Sequence, residues 1–149
     1  MISATKASIT PNANITIAVH SLIVIIMAND LFSFTKLAAY QRAMDLVEKI
    51  YGLLKGFPTE ERFALCDQLR RAVVAVPSNI AEGLTRYSNK EKVHFIEIAY
   101  SSLMEVYCQC GIAKRLGYIS EEERASVEKD IENIARPLSG LRNSYIPKE

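Results

Sequence analysis

The sequence predicts an all-α fold, an antiparallel up-down-up-down four-helix bundle whose second helix is kinked at a proline. Three observations predict it. Apolar residues recur at steps of three and four in four successive windows. Helix start and stop signals bound each window. The 149 residues hold only six Gly and five Pro with no low-complexity tract, which argues against both disorder and a turn-rich all-β fold.

The first helix is expected over residues 36–55, with Leu37, Tyr40, Met44, Val47, Tyr51 and Leu54 as its apolar face. Gly56, Phe57 and Pro58 end it. Thr59 is placed to cap the second helix, with Glu60 and Glu61 favourably set in its first turn. Its stripe is Leu65, Leu69, Ala72, Val73, Val76, Ile80 and Leu84. The stripe stays in phase across Pro77, so a kink rather than an end is expected there. Ser88 with Glu91 forms a capping-box pattern for the third helix, which runs to about Leu116 with Ile96, Ala99, Leu103, Tyr107, Cys110 and Ala113 on one face. Gly117 suits its C-terminal cap. Ser120 with Glu123 repeats the capping pattern and opens the fourth helix, faced by Val127, Ile131, Ile134, Leu138 and Leu141, with a kink expected at Pro137. The connections are short, so neighbouring helices run antiparallel. No internal repeat is evident.

Composition narrows the function. The formal net charge is +1, which gives no global field toward nucleic acid or a membrane surface. Three cysteines, Cys66, Cys108 and Cys110, fit no disulfide framework and suggest reduced thiols in a cytoplasmic protein. Two histidines, His20 and His94, leave a metal site short of ligands. Residues 1–30 read as an N-terminal extension to a bundle domain over residues 31–149. Residues 15–28 are nearly all apolar, yet too few to span a bilayer, which takes about 20 residues. A signal peptide has little support from a single leading Lys6 and no small-x-small site. The favoured reading is a true start at Met27, because amphipathic patterning begins only after Asp30. No membrane partner is expected.

The strings YQRAMDL at 40–46, FPTEERF at 57–63, QLRRA at 68–72, VPSNIAEG at 76–83 and AYSSLMEV at 99–106 together resemble the four-helix bundle family of 23S rRNA intervening-sequence proteins. The resemblance covers about residues 31–145. It implies a bundle with a kinked second helix that assembles as a ring, commonly a homopentamer. Similar proteins accompany diversity-generating retroelements, where a basic pentameric accessory subunit associates with the reverse transcriptase and nucleic acid. This chain lacks that basic character: with Lys6 and Asp30 set aside, 17 basic residues face 16 acidic ones.

Two polar stripes are candidates for function. Gln68, Arg71, Ser78 and Glu82 follow one another on the second helix, flanked by Asn79. Glu97, Ser101 and Glu105 recur by four on the third, with Ser102 and Gln109 adjoining. The plain reading is a solvated face. The sharper one, which the resemblance favours, is a polar network or subunit interface built from Gln68, Arg71, Ser78, Asn79, Glu82, Ser102 and Glu105, with Arg71 meeting a glutamate of the other helix. At the bend, Pro77 takes the amide donor from the Val73 carbonyl, and Ser78 and Asn79 are placed to bond locally.

Basic residues cluster as well. Arg70, Arg86, Lys90 and Lys92 are candidate nucleic-acid contacts, which a ring would multiply. Tyr40, Tyr87, Tyr100 and Tyr107 are expected in the core or an interface rather than as base-stacking platforms. Glu82 and Glu105 lack the Glu-x-x-His partners of a di-metal bundle. No phosphate loop, nucleophile elbow or zinc-protease pair occurs. The expectation is therefore no catalytic residue, no cofactor and no metal. The chain reads as a cytoplasmic homo-oligomeric scaffold whose partner is RNA, DNA or a nucleic-acid-handling protein. The alternative is a structural protein-interaction module without nucleic-acid contact.

Overall fold

The computed structural model describes residues 17–19, 21–22 and 32–147. Two compact units divide the chain, Met1–Ser33 and Phe34–Glu149. In the first, the described residues 17–19 and 21–22 are helical; the remaining readings of residues 1–30 lie outside the described residues.

The second unit carries four helices: α1 (Ala38–Leu53), α2 (Leu65–Leu84), α3 (Asn89–Arg115) and α4 (Glu121–Tyr145). α1 packs on α2 and α4, and α3 packs on the same two, so the four close a square. Polar ties give the direction. Arg42, early in α1, donates to the Asn133 carbonyl at 2.8 Å, while Lys49 reaches Ser126 Oγ at 2.8 Å and pairs with Asp130. α1 and α4 therefore run opposite ways, as an up-down-up-down bundle requires. Among the described residues no helix is long and apolar enough to cross a membrane.

The helix starts follow the chemistry of their first residues. Ser88 Oγ accepts from the Glu91 amide at 3.2 Å. Ser120 and Glu123 form the full reciprocal box, at 2.7 and 3.1 Å. Gly117 takes φ +77°, and the Tyr118 amide returns to the Ala113 carbonyl at 2.9 Å, closing α3 in the left-handed turn that favours glycine. The start of α2 differs from expectation. Thr59–Phe63 is a 3-10 helix, Ala64 breaks the chain direction at φ −113°, ψ −107°, and the α-helix begins only at Leu65. Thr59 makes no side-chain cap there. Glu61 serves both roles instead: one oxygen accepts from the Leu65 amide at 3.1 Å, the other from the Tyr118 hydroxyl at 3.0 Å.

The core is formed by one row from each helix. On α2 the expected stripe is buried at Leu69, Ala72, Val73, Val76 and Ile80, joined by Cys66, Pro77 and Gly83. On α4 it is Val127, Ile131, Ile134 and Leu138. Helix α1 is rotated from expectation. Its buried row is Ala39, Ala43, Leu46, Ile50 and then Leu54, whereas Met44 and Tyr51 are 47% and 43% exposed. Both rows have helical spacing, and size alone favoured the wrong row. On α3, Val106 and Gln109 are buried and Tyr107 is not. Both prolines lie inside unbroken helices, α2 at Pro77 and α4 at Pro137.

Candidate functional site

Of the polar residues that the sequence singles out, the cleft between α2 and α3 brings together Gln68, Glu105 and Gln109, while Glu97 and Ser101 line a separate cavity with Ser139 and Arg142 of α4. Between Val93 and Ala113 the only charged side chains are Glu97 and Glu105. Helix α3 is thus poor in charge all round, although one side of it already fills the core. Its outward side exposes Tyr100, Tyr107, Ile112 and Leu116, between 39% and 53%. A helix surface of this kind usually has a partner.

A cleft of about 430 Å³ lies where the start of α2 meets the second half of α3. Ala64, Leu65, Cys108 and Ile112 give it apolar walls, and Gln68, Glu105 and Gln109 give it polar ones. Gln109 is only 7% exposed, and its amide nitrogen donates to Glu105 Oε1 at 2.9 Å. Its own oxygen, Oε1, is buried and meets no donor. A buried acceptor left in this way costs about 1–3 kcal/mol.

The other stripe residues bond along their own helices. Ser78 Oγ donates to the Val74 carbonyl at 2.8 Å and Asn79 Nδ2 to the Ala75 carbonyl at 2.7 Å. These are the local bonds expected just after Pro77, the type that bends helices. Glu82 pairs with Arg86 one turn on. Ser102 is buried and donates to the Ile98 carbonyl at 2.9 Å. Arg71 faces solvent and lies 3.5 Å from Asp67 of its own helix, so it does not reach a glutamate of α3. The pair of stripe residues brought together across the cleft is Gln68 with Glu105.

The basic candidates separate into two places. Arg86 stacks over Phe95 at 4.7 Å, Lys92 lies 5.0 Å above the Tyr145 ring, and Lys90 lines a shallow cavity with Tyr145 and Pro147. These three share the end of the bundle where α2 gives way to α3, together with a fully exposed Tyr87. Tyr87 is therefore in neither the core nor a contact of this chain. Arg70 is 16 residues away on α2, about 24 Å at the helical rise, and donates to the Arg62 carbonyl at 3.4 Å.

The thiols do not form a reactive site. Cys66 and Cys110 are buried and Cys108 is exposed. Burial pushes the Cys110 thiol up to about 11, with Arg124 pulling the other way. Arg124 escapes the sequence reading of the site, and Gln109 enters it only as a residue adjoining the α3 stripe. Arg124 is 9% exposed beneath Tyr107, its guanidinium 4.2 Å from the ring centre. A position in the first turn of a helix gave no hint of burial. Gln109 did carry a signal, four residues beyond Glu105 on the same edge of α3.

The family model of the 23S rRNA-intervening sequence protein matches residues 35–140. A crystal structure of a protein with unknown function from the S23 ribosomal protein family of Bacteroides thetaiotaomicron is similar in fold. It has a TM-score of 0.65 and 21% sequence identity, covering 70% of this chain and 98% of that one. Among curated proteins none matches the chain.

Proposed function

The chain belongs to the 23S rRNA-intervening sequence protein family, and from that premise we propose that it is a non-enzymatic scaffold that assembles with copies of itself and binds nucleic acid or a nucleoprotein. The observation that carries the self-assembly is the outward side of α3, apolar over its middle and exposed among the described residues of the second unit. An exposed helical face of this width is what copies of one chain bury on association. The ring of five implied by the family resemblance is one form such an assembly takes.

The nucleic-acid reading is supported by the end that gathers Arg86, Tyr87, Lys90 and Lys92. An exposed ring beside cations suits a stacked base and a phosphate backbone. Repetition of that end in an assembly raises avidity with no new contact. The test is retention of purified protein on immobilised RNA over a salt series. Binding falls steeply with salt in this reading, and Lys90→Glu with Lys92→Glu abolishes it. Retention that ignores salt and survives both changes favours the second reading, a protein-interaction module without nucleic-acid contact.

A further inference from the structure

We infer that copies of the chain join head to tail: the α2–α3 cleft face of one packs on the α1–α2 face of the next, and Glu105 of the first pairs with Arg70 of the second. The inference rests on the self-assembly proposed above and names the two surfaces it uses. Three observations lead to it.

The first is a second apolar face, on the other flank of α2. Tyr51 follows Arg42 by nine residues, about two and a half turns, so it stands opposite the side of α1 that Arg42 ties to α4. Val74 precedes Gly83 by nine, so it stands opposite the side of α2 that Gly83 presents to Phe95 of α3. In a square of four helices both point out of the α1–α2 side. Met44 lies with them, and the three are between 40% and 47% exposed. Large apolar residues gathered in this way point to an interaction surface. The cleft side, with Cys108, Ile112 and Leu116, is a different surface. A single two-fold contact covers one of the two; a single head-to-tail contact covers both.

The second is charge. Glu105 lines the cleft among its apolar walls, and Arg70 stands one turn before Val74 on the same flank of α2. Neither belongs to an ion pair among the described residues. Glu105 accepts from the Gln109 amide at 2.9 Å and Arg70 donates to the Arg62 carbonyl at 3.4 Å, which leaves both with hydrogen-bonding capacity to spare. They lie on different flanks of α2, which keeps them apart within one chain. Between copies they are opposite charges, one on each surface. Arg70 is also the basic candidate that stands apart from the end holding Arg86, Lys90 and Lys92.

The third is closure. The two faces share α2 as a common edge, and neighbouring sides of a square stand at about a right angle. Copies joined through neighbouring sides, with their helices upright, turn at every contact and close after about four or five. Contacts through opposite sides line copies up in a row. The pair of faces chosen by exposure and charge is thus the pair that closes a small ring.

Variants that spoil one face each test the pairing, read by sedimentation velocity over a concentration series. Ile112→Glu spoils the cleft face and Val74→Glu the α1–α2 face. Each alone stays at the mass of one chain, 16.7 kDa. Mixed in equal amounts they give a complex of twice that mass and nothing larger, because each keeps one sound face; the same result shows that both are folded. Met44→Glu, on the neighbouring helix, behaves as Val74→Glu does. Glu105→Arg and Arg70→Glu each weaken association about tenfold or more, and the double variant restores it. Val74→Glu and Met44→Glu that assemble as well as the wild type, or a mixture that stays at the mass of one chain, overturn the head-to-tail contact and leave self-assembly standing. A double charge variant as weak as the singles overturns the Glu105–Arg70 pair. Wild type at the mass of one chain at every concentration overturns the inference and the self-assembly together, and gives both faces to another protein.

Discussion

A methyl group placed on Gly83 would stand 2.8 Å from the Cβ of Phe95, and 3.4 Å from the Lys92 carbonyl oxygen. Gly83 ends the string that begins at Val76, and here α2 and α3 approach closest to the turn that joins them. The Phe95 Cβ is fixed to the backbone of α3, so it cannot swing aside. Gly83→Ala is expected to destabilise the fold by about 1–3 kcal/mol, the range for forcing an extra methyl into a packed contact. Gly52 and Gly140 have open space around a built Cβ, and alanine there is expected to be neutral or to stabilise by up to about 1 kcal/mol. Urea unfolding of the three variants checks the contrast.

Arg71→Ala is expected to change stability by no more than about 0.5 kcal/mol, no more than Lys129→Ala. Its ion pair is long, exposed and confined to one helix. A loss above about 2 kcal/mol in thermal unfolding would mean a buried partner for Arg71.

Cys108 of the dissociated chain is expected to react quickly with a thiol reagent at neutral pH and to be shielded in the assembly, and Cys66 and Cys110 to react only as fast as the fold opens. The buried thiols carry a pH signature as well. Folding favours the neutral form of Cys110, whose value is raised from 9.0 to about 11. Its contribution is complete below about 9 and is lost as pH climbs toward 11. Stability measured across that window should fall, and Cys110→Ala should make the fall shallower.

Removal of residues 1–31 is expected to leave the melting temperature of the bundle unchanged. Among the described residues the core runs from Ala39 to Leu138, within the second compact unit. Circular dichroism of the shortened protein against the full chain measures this.

Much of the bundle was legible in the sequence because its signals are local. Ser88, Ser120 and Gly117 act through hydrogen bonds and dihedral angles within a few residues, and the rows of α2 and α4 have a single apolar face to choose. The errors occur where local signals are ambiguous. Helix α1 carries two rows of helical spacing, and only packing decides that Ala39 and Ala43 face inward while Met44 and Tyr51 do not. Thr59 satisfies the pattern of a cap, but the Glu61 carboxylate reaches the first amide of α2. For the site, only Gln68 and Glu105 of the two stripes meet across the α2–α3 cleft. Ser78, Asn79, Glu82 and Ser102 each found a partner on their own helix, one turn away, where an i to i+4 bond requires no alignment between helices. Ile112, which lines the cleft, went unmarked, since an apolar residue on an outer face has no evident meaning until the inner face is assigned.

The central claim is that the outward side of α3 is an interface between copies of this chain. The most direct measurement is the solution mass of the wild type beside Ile112→Glu, by light scattering at matched concentrations. The account predicts a wild type at a multiple of 16.7 kDa and a variant at that single mass, both with the same helical content. A wild type already at 16.7 kDa, or a variant that assembles as well as the wild type, would contradict it.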